Sequence, residues 1–119
     1  LARYQIMKVR VSGKQIELGT ALREDARSRL EAAIAKHFDG DADAHIVFSH
    51  DGPFYRADCA AHLYSGVVMQ AEGEGKDAHR AFEAVLAHLE KQVRRYKRRL
   101  KNHHEKAKAR TRSTARSAL

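Results

Sequence analysis

The chain has 119 residues, a net charge of +8 and one cysteine, Cys59. That length holds one domain with one core. The lone cysteine excludes an internal disulfide framework and suits a reducing cytoplasm. No apolar run approaches the roughly 18 residues of a membrane helix, and the first residues lack the apolar core of a signal peptide.

The charge is unevenly placed. Residues 1–90 carry 11 Lys and Arg against 14 acids, and residues 91–119 carry 12 against Glu105 alone. A mildly acidic body with a strongly basic last quarter points to a polyanionic partner, nucleic acid before membrane.

Residues 1–6 read as a leader or expression remnant, because the first strand pattern starts at Met7. From there Met7, Val9 and Val11 alternate with Lys8 and Arg10, the pattern of a half-buried strand. Residues 20–38 read as a helix with Leu22, Ala26, Leu30, Ala33 and Ile34 on one stripe. Thr20 is expected to cap it, with Glu24 and Asp25 suiting its dipole. Asp39-Gly40-Asp41 stops it, since Gly tolerates left-handed geometry. Three strands follow. His45–Ser49 is short and apolar. The turn His50-Asp51-Gly52-Pro53 leads into 55–63, with Tyr55, Ala57, Cys59, Ala61 and Leu63 inward. After Ser65-Gly66 comes a strand with Val67, Met69 and Ala71 inward, ending at residues 73–75.

The last element is expected from Asp77, as N-cap, to about Lys101. Ala78, Phe82, Val85, Leu86, Leu89, Val93, Tyr96 and Leu100 fill one apolar stripe. Residues 102–119 are polar and basic and read as a flexible tail or linker. The order β-α-β-β-β-α predicts a two-layer α+β domain, a four-stranded sheet with two helices on one face. The first two strands should be parallel and the later turns are short enough for antiparallel neighbours. Residues 7–101 make up this domain.

The end of the second helix carries the chemistry. Lys91, Arg94, Arg95, Lys97, Arg98, Arg99 and Lys101 are seven cations in eleven residues. Like charges one turn apart destabilise a helix by a few tenths of a kcal/mol per pair. The dipole offsets part of that, but only in the last turn. A solvated helix end is the plain explanation. Contact with phosphates is the functional one, and Arg offers the planar bidentate donors it needs. No base-reading motif is present, so backbone and shape recognition is expected.

Other candidates carry less. Gly75-Lys76 ends like a P-loop, but Gln70 stands where the pattern needs Gly and Asp77 where it needs Ser or Thr. His45, His50 and His62 lack partners at metal-ligand spacing, and no metal or other cofactor is expected. Asp58 and His62 lack a nucleophile and pocket, so a charge pair is the better reading. Cys59 reads as a packed core thiol.

The segments SGKQIELGTALRE (12–24), ADCAAHLYSG (57–66) and AEGEGKDAHRAFEAVLAHLEKQVRRYKRRLK (71–101) together resemble the ribosome hibernation promoting factors. These are also known as ribosome-associated inhibitors or sigma-54 modulation proteins. The most specific piece is Gly75-x-Asp77 with Ala81-Phe82-Glu83, then Leu89-x-x-Gln92-Val93 and the basic run. The resemblance implies a non-enzymatic cytoplasmic protein. It would bind 16S-type rRNA of the small ribosomal subunit, compete there with mRNA and tRNA, and block translation under stress or in stationary phase. It implies rRNA contacts at Lys91, Arg94, Arg95, Lys97, Arg98 and Lys101, with Arg23, Lys76 and Arg80 as weaker ones. His79 stands where many relatives carry Tyr. Long members add a C-terminal domain that pairs ribosomes, and residues 102–119 resemble the start of the linker to it. A complete short form is the alternative, and without that domain no pairing is expected. Two rival functions fit less of the sequence, a general double-stranded RNA binder and a module that pairs with a sigma factor.

Overall fold

The computed structural model describes residues 6–117, with side chains up to Asn102. The elements are β1 (Met7–Gly13), α1 (Thr20–His37), β2 (Ala42–Asp51), β3 (Phe54–Leu63), β4 (Val68–Gly75) and α2 (Ala78–Ser117). The sheet order is β1-β2-β3-β4, parallel between β1 and β2 and antiparallel beyond. This is the expected α+β arrangement.

Alternation decides which sheet face is covered. Ala44, Ile46 and Phe48 of β2, Ala57, Cys59 and Ala61 of β3, and Met69 and Ala71 of β4 are buried under the helices. α1 contributes Ala26, Leu30 and Ile34, and α2 contributes Ala81, Phe82, Val85, Leu89 and Val93. Phe48 and Phe82 meet in the centre with ring centroids 6.5 Å apart. Fully burying such a side chain stabilises by about 1.5–3 kcal/mol. Burial pushes the Cys59 thiol up to about 11, which disfavours its thiolate and fits a packed core position.

Small residues let α2 lie close on β4. A Cβ added at Gly73 would come within 2.6 Å of Ala84 Cβ and 2.7 Å of both Ala81 O and Val85 N. At the outer edge of β4, Gln92 Nε2 donates to Gln70 O and His88 Nδ1 meets Glu72 O. Those contacts satisfy carbonyls that an edge strand would otherwise leave open.

Five expectations are corrected. Thr20 does not cap α1: Gly19 holds the cap position with no side-chain bond. Glu24 and Asp25 lie beyond the first turn, where Glu24 pairs with Arg27 at 2.6 Å and Asp25 with Arg29 at 3.8 Å. β2 begins at Ala42, three residues before His45, because Ala42 and Ala44 continue the buried face with Asp43 pointing out. The expected flexible stretch after Lys101 is helical to Ser117. It is rich in Lys, Arg and Ala, and neither Gly nor Pro follows Gly75, so nothing breaks the helix. Asp77 does cap α2, its Oδ1 accepting from Arg80 N at 2.8 Å. Leu100, expected on the apolar stripe, is 51% exposed, so the core ends a turn or two earlier.

Candidate nucleic-acid interface

Two contacts set the helices side by side in parallel. Near the start of α2, Arg29 Nη1 donates to Glu83 Oε1. Further along, Lys97 Nζ lies 3.4 Å from His37 Nδ1 at the end of α1. The Arg29 bond holds the Glu83 carboxyl below its usual range. Arg29 also lies over the Phe82 ring at 5.3 Å. Between these contacts the last buried residue of α2 among the described side chains is Val93, and Tyr96 packs on Phe38 with centroids 6.1 Å apart. Everything beyond Tyr96 up to Asn102 is exposed.

That geometry sorts the cations. Arg27, Arg29, Arg56 and Arg80 all face carboxylates within 4 Å. Among the described residues none of Lys91, Arg94, Arg95, Lys97, Arg98, Arg99 or Lys101 does. They fan around the helix. Lys97 faces α1, where Lys36 and His37 end that helix. Arg95 and Arg99 face the start of β4. Seven cations around this stretch of α2, with no carboxylate within 4 Å among the described residues, attract a polyanion and disfavour neutral ligands.

The structure splits the residues expected to touch rRNA. Six of them, Lys91, Arg94, Arg95, Lys97, Arg98 and Lys101, cluster within about three turns of α2 and project around it. Arg80 lies about 20 Å of helix axis from Arg94. Its Nε is 3.6 Å from Asp77 Oδ2, which offsets its charge. Lys76 is exposed in the β4–α2 turn and Arg23 near the start of α1, at the same end of the parallel pair. His79 is also exposed there.

Sequence reasoning left Arg99, Lys36 and His37 off the expected contacts. For Lys36 and His37 the signal was two basic residues in the last turn of α1, which complement the dipole. Burial first, then Lys97 and Lys36, lowers the His37 pKa. Its Nε2 is enclosed without a partner among the described residues.

The uncovered sheet face differs in character. It holds an open groove of about 750 Å³ with His45, Val47, Asp58, Ala60, Gln70 and Glu72 among its lining. Arg56 there donates to both oxygens of Asp58 and to Glu72. Asp58 thus pairs with Arg56 and not with His62. His45 Nε2 meets Ser12 Oγ at 2.9 Å, while His50 packs on Tyr55, so the three histidines do not converge. Among the described residues no three His, Cys, Asp or Glu gather as metal ligands, and no helix is long and apolar enough to cross a membrane. Asp58, Glu72 and Glu74 share this face with Lys8, Arg10 and Arg56, so it lacks the dense positive charge of α2 residues 91–101.

Fold and surface together define a small α+β domain with a dense run of cations, unpaired among the described residues, at positions 91–101 of α2. A family model described as Sigma 54 modulation protein / S30EA ribosomal protein matches residues 9–101, and the chain belongs to that family. It is similar to the ribosome hibernation promotion factor of Rhizobium meliloti (strain 1021), 43% identical over 98 residues, which are 82% of this chain and 52% of that protein. The ribosome hibernation promoting factor of Escherichia coli (strain K12) is 26% identical over 97 residues, covering 82% of this chain and all of that one. The chain therefore spans about half the length of the rhizobial relative. Among solved structures, the Thermus thermophilus Protein Y N-terminal domain superposes with TM-score 0.64 at 28% identity, over 73% of this chain and 94% of that one. A ribosomal subunit interface protein from Coxiella burnetii, at TM-score 0.66 and 22% identity over 76% and 97% of the two chains, shares the fold.

Proposed function

We propose that this chain binds the small ribosomal subunit in the channel used by mRNA and tRNA and silences translation by occupying it, under stress or in stationary phase. The observation that carries this reading is the set of cations at residues 91–101 of α2, unpaired among the described residues. The names of the relatives support association with the ribosome. Lys91, Arg94, Arg95, Lys97, Arg98 and Lys101 contact rRNA phosphates. Arg23, Lys76 and Arg80 form a second, weaker contact at the other end of the helix layer. Residues 7–101 are the binding unit. Occupancy requires no bond to be made or broken, so the action is steric and not enzymatic. Ribosome pairing would need a further domain.

The test is co-sedimentation with purified small subunits across a salt series. With about six phosphates engaged, affinity should fall about 10³-fold between roughly 50 and 200 mM salt. Weak salt dependence, or equal binding to any A-form duplex, would contradict the reading.

A further inference from the structure

The two sides of α2 differ in a way the ribosomal reading does not use. On the α1 side the space beneath the cations is closed: Phe38, Leu89 and Val93 leave a void of only about 10 Å³. On the β4 side a cleft of about 230 Å³ stays open, lined by Val67, Val68, Gln92, Arg95, Tyr96 and Arg99. It is smaller than the roughly 300–1,000 Å³ that encloses a whole small molecule. One wall is cationic, since Arg95 and Arg99 sit one turn apart and neither faces a carboxylate among the described residues. The opposite wall is apolar, with Val67 half-buried against the core and Val68, 50% exposed, at the rim toward the uncovered sheet face. Phe38 holds the Tyr96 ring from behind.

An apolar wall beside two free guanidiniums matches the two halves of a nucleotide. The geometry points to this cleft as the seat of a single unpaired RNA nucleotide. Its phosphate would lie on Arg95 and Arg99 and its base against Val67, Val68 and the Tyr96 edge. Bases already stacked in an A-form duplex do not offer a face to such a wall, whereas splayed bases do. Gln92, its Nε2 engaged with Gln70 O, keeps its own carbonyl for a polar base edge. The inference rests on the proposed function and deepens it: the protein would sense unpaired RNA and not merely charge.

Binding of the full chain to an unstructured oligouridine, and to a blunt A-form duplex with equal phosphates, tests this. The parent should prefer the single strand. Val68→Ser leaves the charge unchanged and should weaken strand binding about threefold to tenfold, leaving duplex binding and the salt slope as they were. Arg99→Gln should reduce the strand salt slope by about 0.7. Should Val68→Ser melt early, Val68→Thr keeps the β-branched shape and makes the same test. Equal parental affinity for strand and duplex overturns the cleft, as does parental strand binding by both Val68 variants. Small-subunit sedimentation of the same preparations separates the two readings. A parent that fails there contradicts the ribosomal function. A parent that sediments while the Val68 variants hold oligouridine undiminished contradicts the cleft alone.

Discussion

Gly73→Ala gives the sharpest test of how α2 is seated. The new methyl would meet Ala84 Cβ at 2.6 Å and backbone atoms of Ala81 and Val85 at 2.7 Å. Contacts between carbon atoms are comfortable near 3.5–4.0 Å, so the helix would have to retreat by about 1 Å along its contact with β4. Backbone atoms cannot rotate aside, which places the cost at about 3 kcal/mol, the upper part of the usual overpacking range. In urea unfolding with an m of about 1.5 kcal/mol/M, the midpoint should fall by about 2 M. Gly19→Ala is the control. Gly19 has φ −66° and nothing within 4 Å of a Cβ. It should change stability by no more than about 0.5 kcal/mol. A Gly73→Ala midpoint within about 0.3 M of the parent would refute the close seating of α2.

Other predictions follow from single groups. Replacing Arg94, Arg95 and Arg98 together by Gln should leave the melting temperature within a few degrees while flattening the log–log salt dependence of RNA binding by roughly 2–3; an unchanged slope would remove these residues from the interface. The lowered His37 pKa means that the folded chain holds fewer protons at this site than the unfolded one below the usual 6.5. Its contribution to stability is present above about pH 6.5 and is lost as pH falls through the depressed folded pKa. His37→Gln should flatten the acid limb of a pH–stability curve, and an identical limb in both proteins would contradict the assignment. Cys59, held at about 11 by burial, should resist iodoacetamide at pH 8 in the native chain and react once urea unfolds it. Rapid native alkylation would mean that the sheet–helix layer opens there.

Much of the fold was readable because its core is periodic. Alternation at Tyr55–Leu63 named the buried face of β3 residue by residue, and the stripe from Phe82 to Val93 named that of α2. Ala81, buried beside that stripe, was missed because a methyl group carries little hydrophobic signal. The end of α2 was misjudged for a different reason. Among the described side chains packing ends before Leu100, but a Lys-, Arg- and Ala-rich chain keeps its helical preference regardless. The basic surface was legible as composition, yet its sorting was not. That Arg95 and Arg99 flank a cleft, while Lys97 faces His37, depends on the course of β4 and α1 beside α2. No pattern along one helix holds that information.

Displacement by mRNA and initiator tRNA is the decisive measurement for the proposed occupancy of the decoding channel. The complex with purified small subunits should be titrated with mRNA and initiator tRNA, and the bound chain measured by sedimentation. The account predicts saturable one-to-one binding that the two ligands together displace. A bound fraction that stays constant while mRNA and tRNA fill the channel would contradict it.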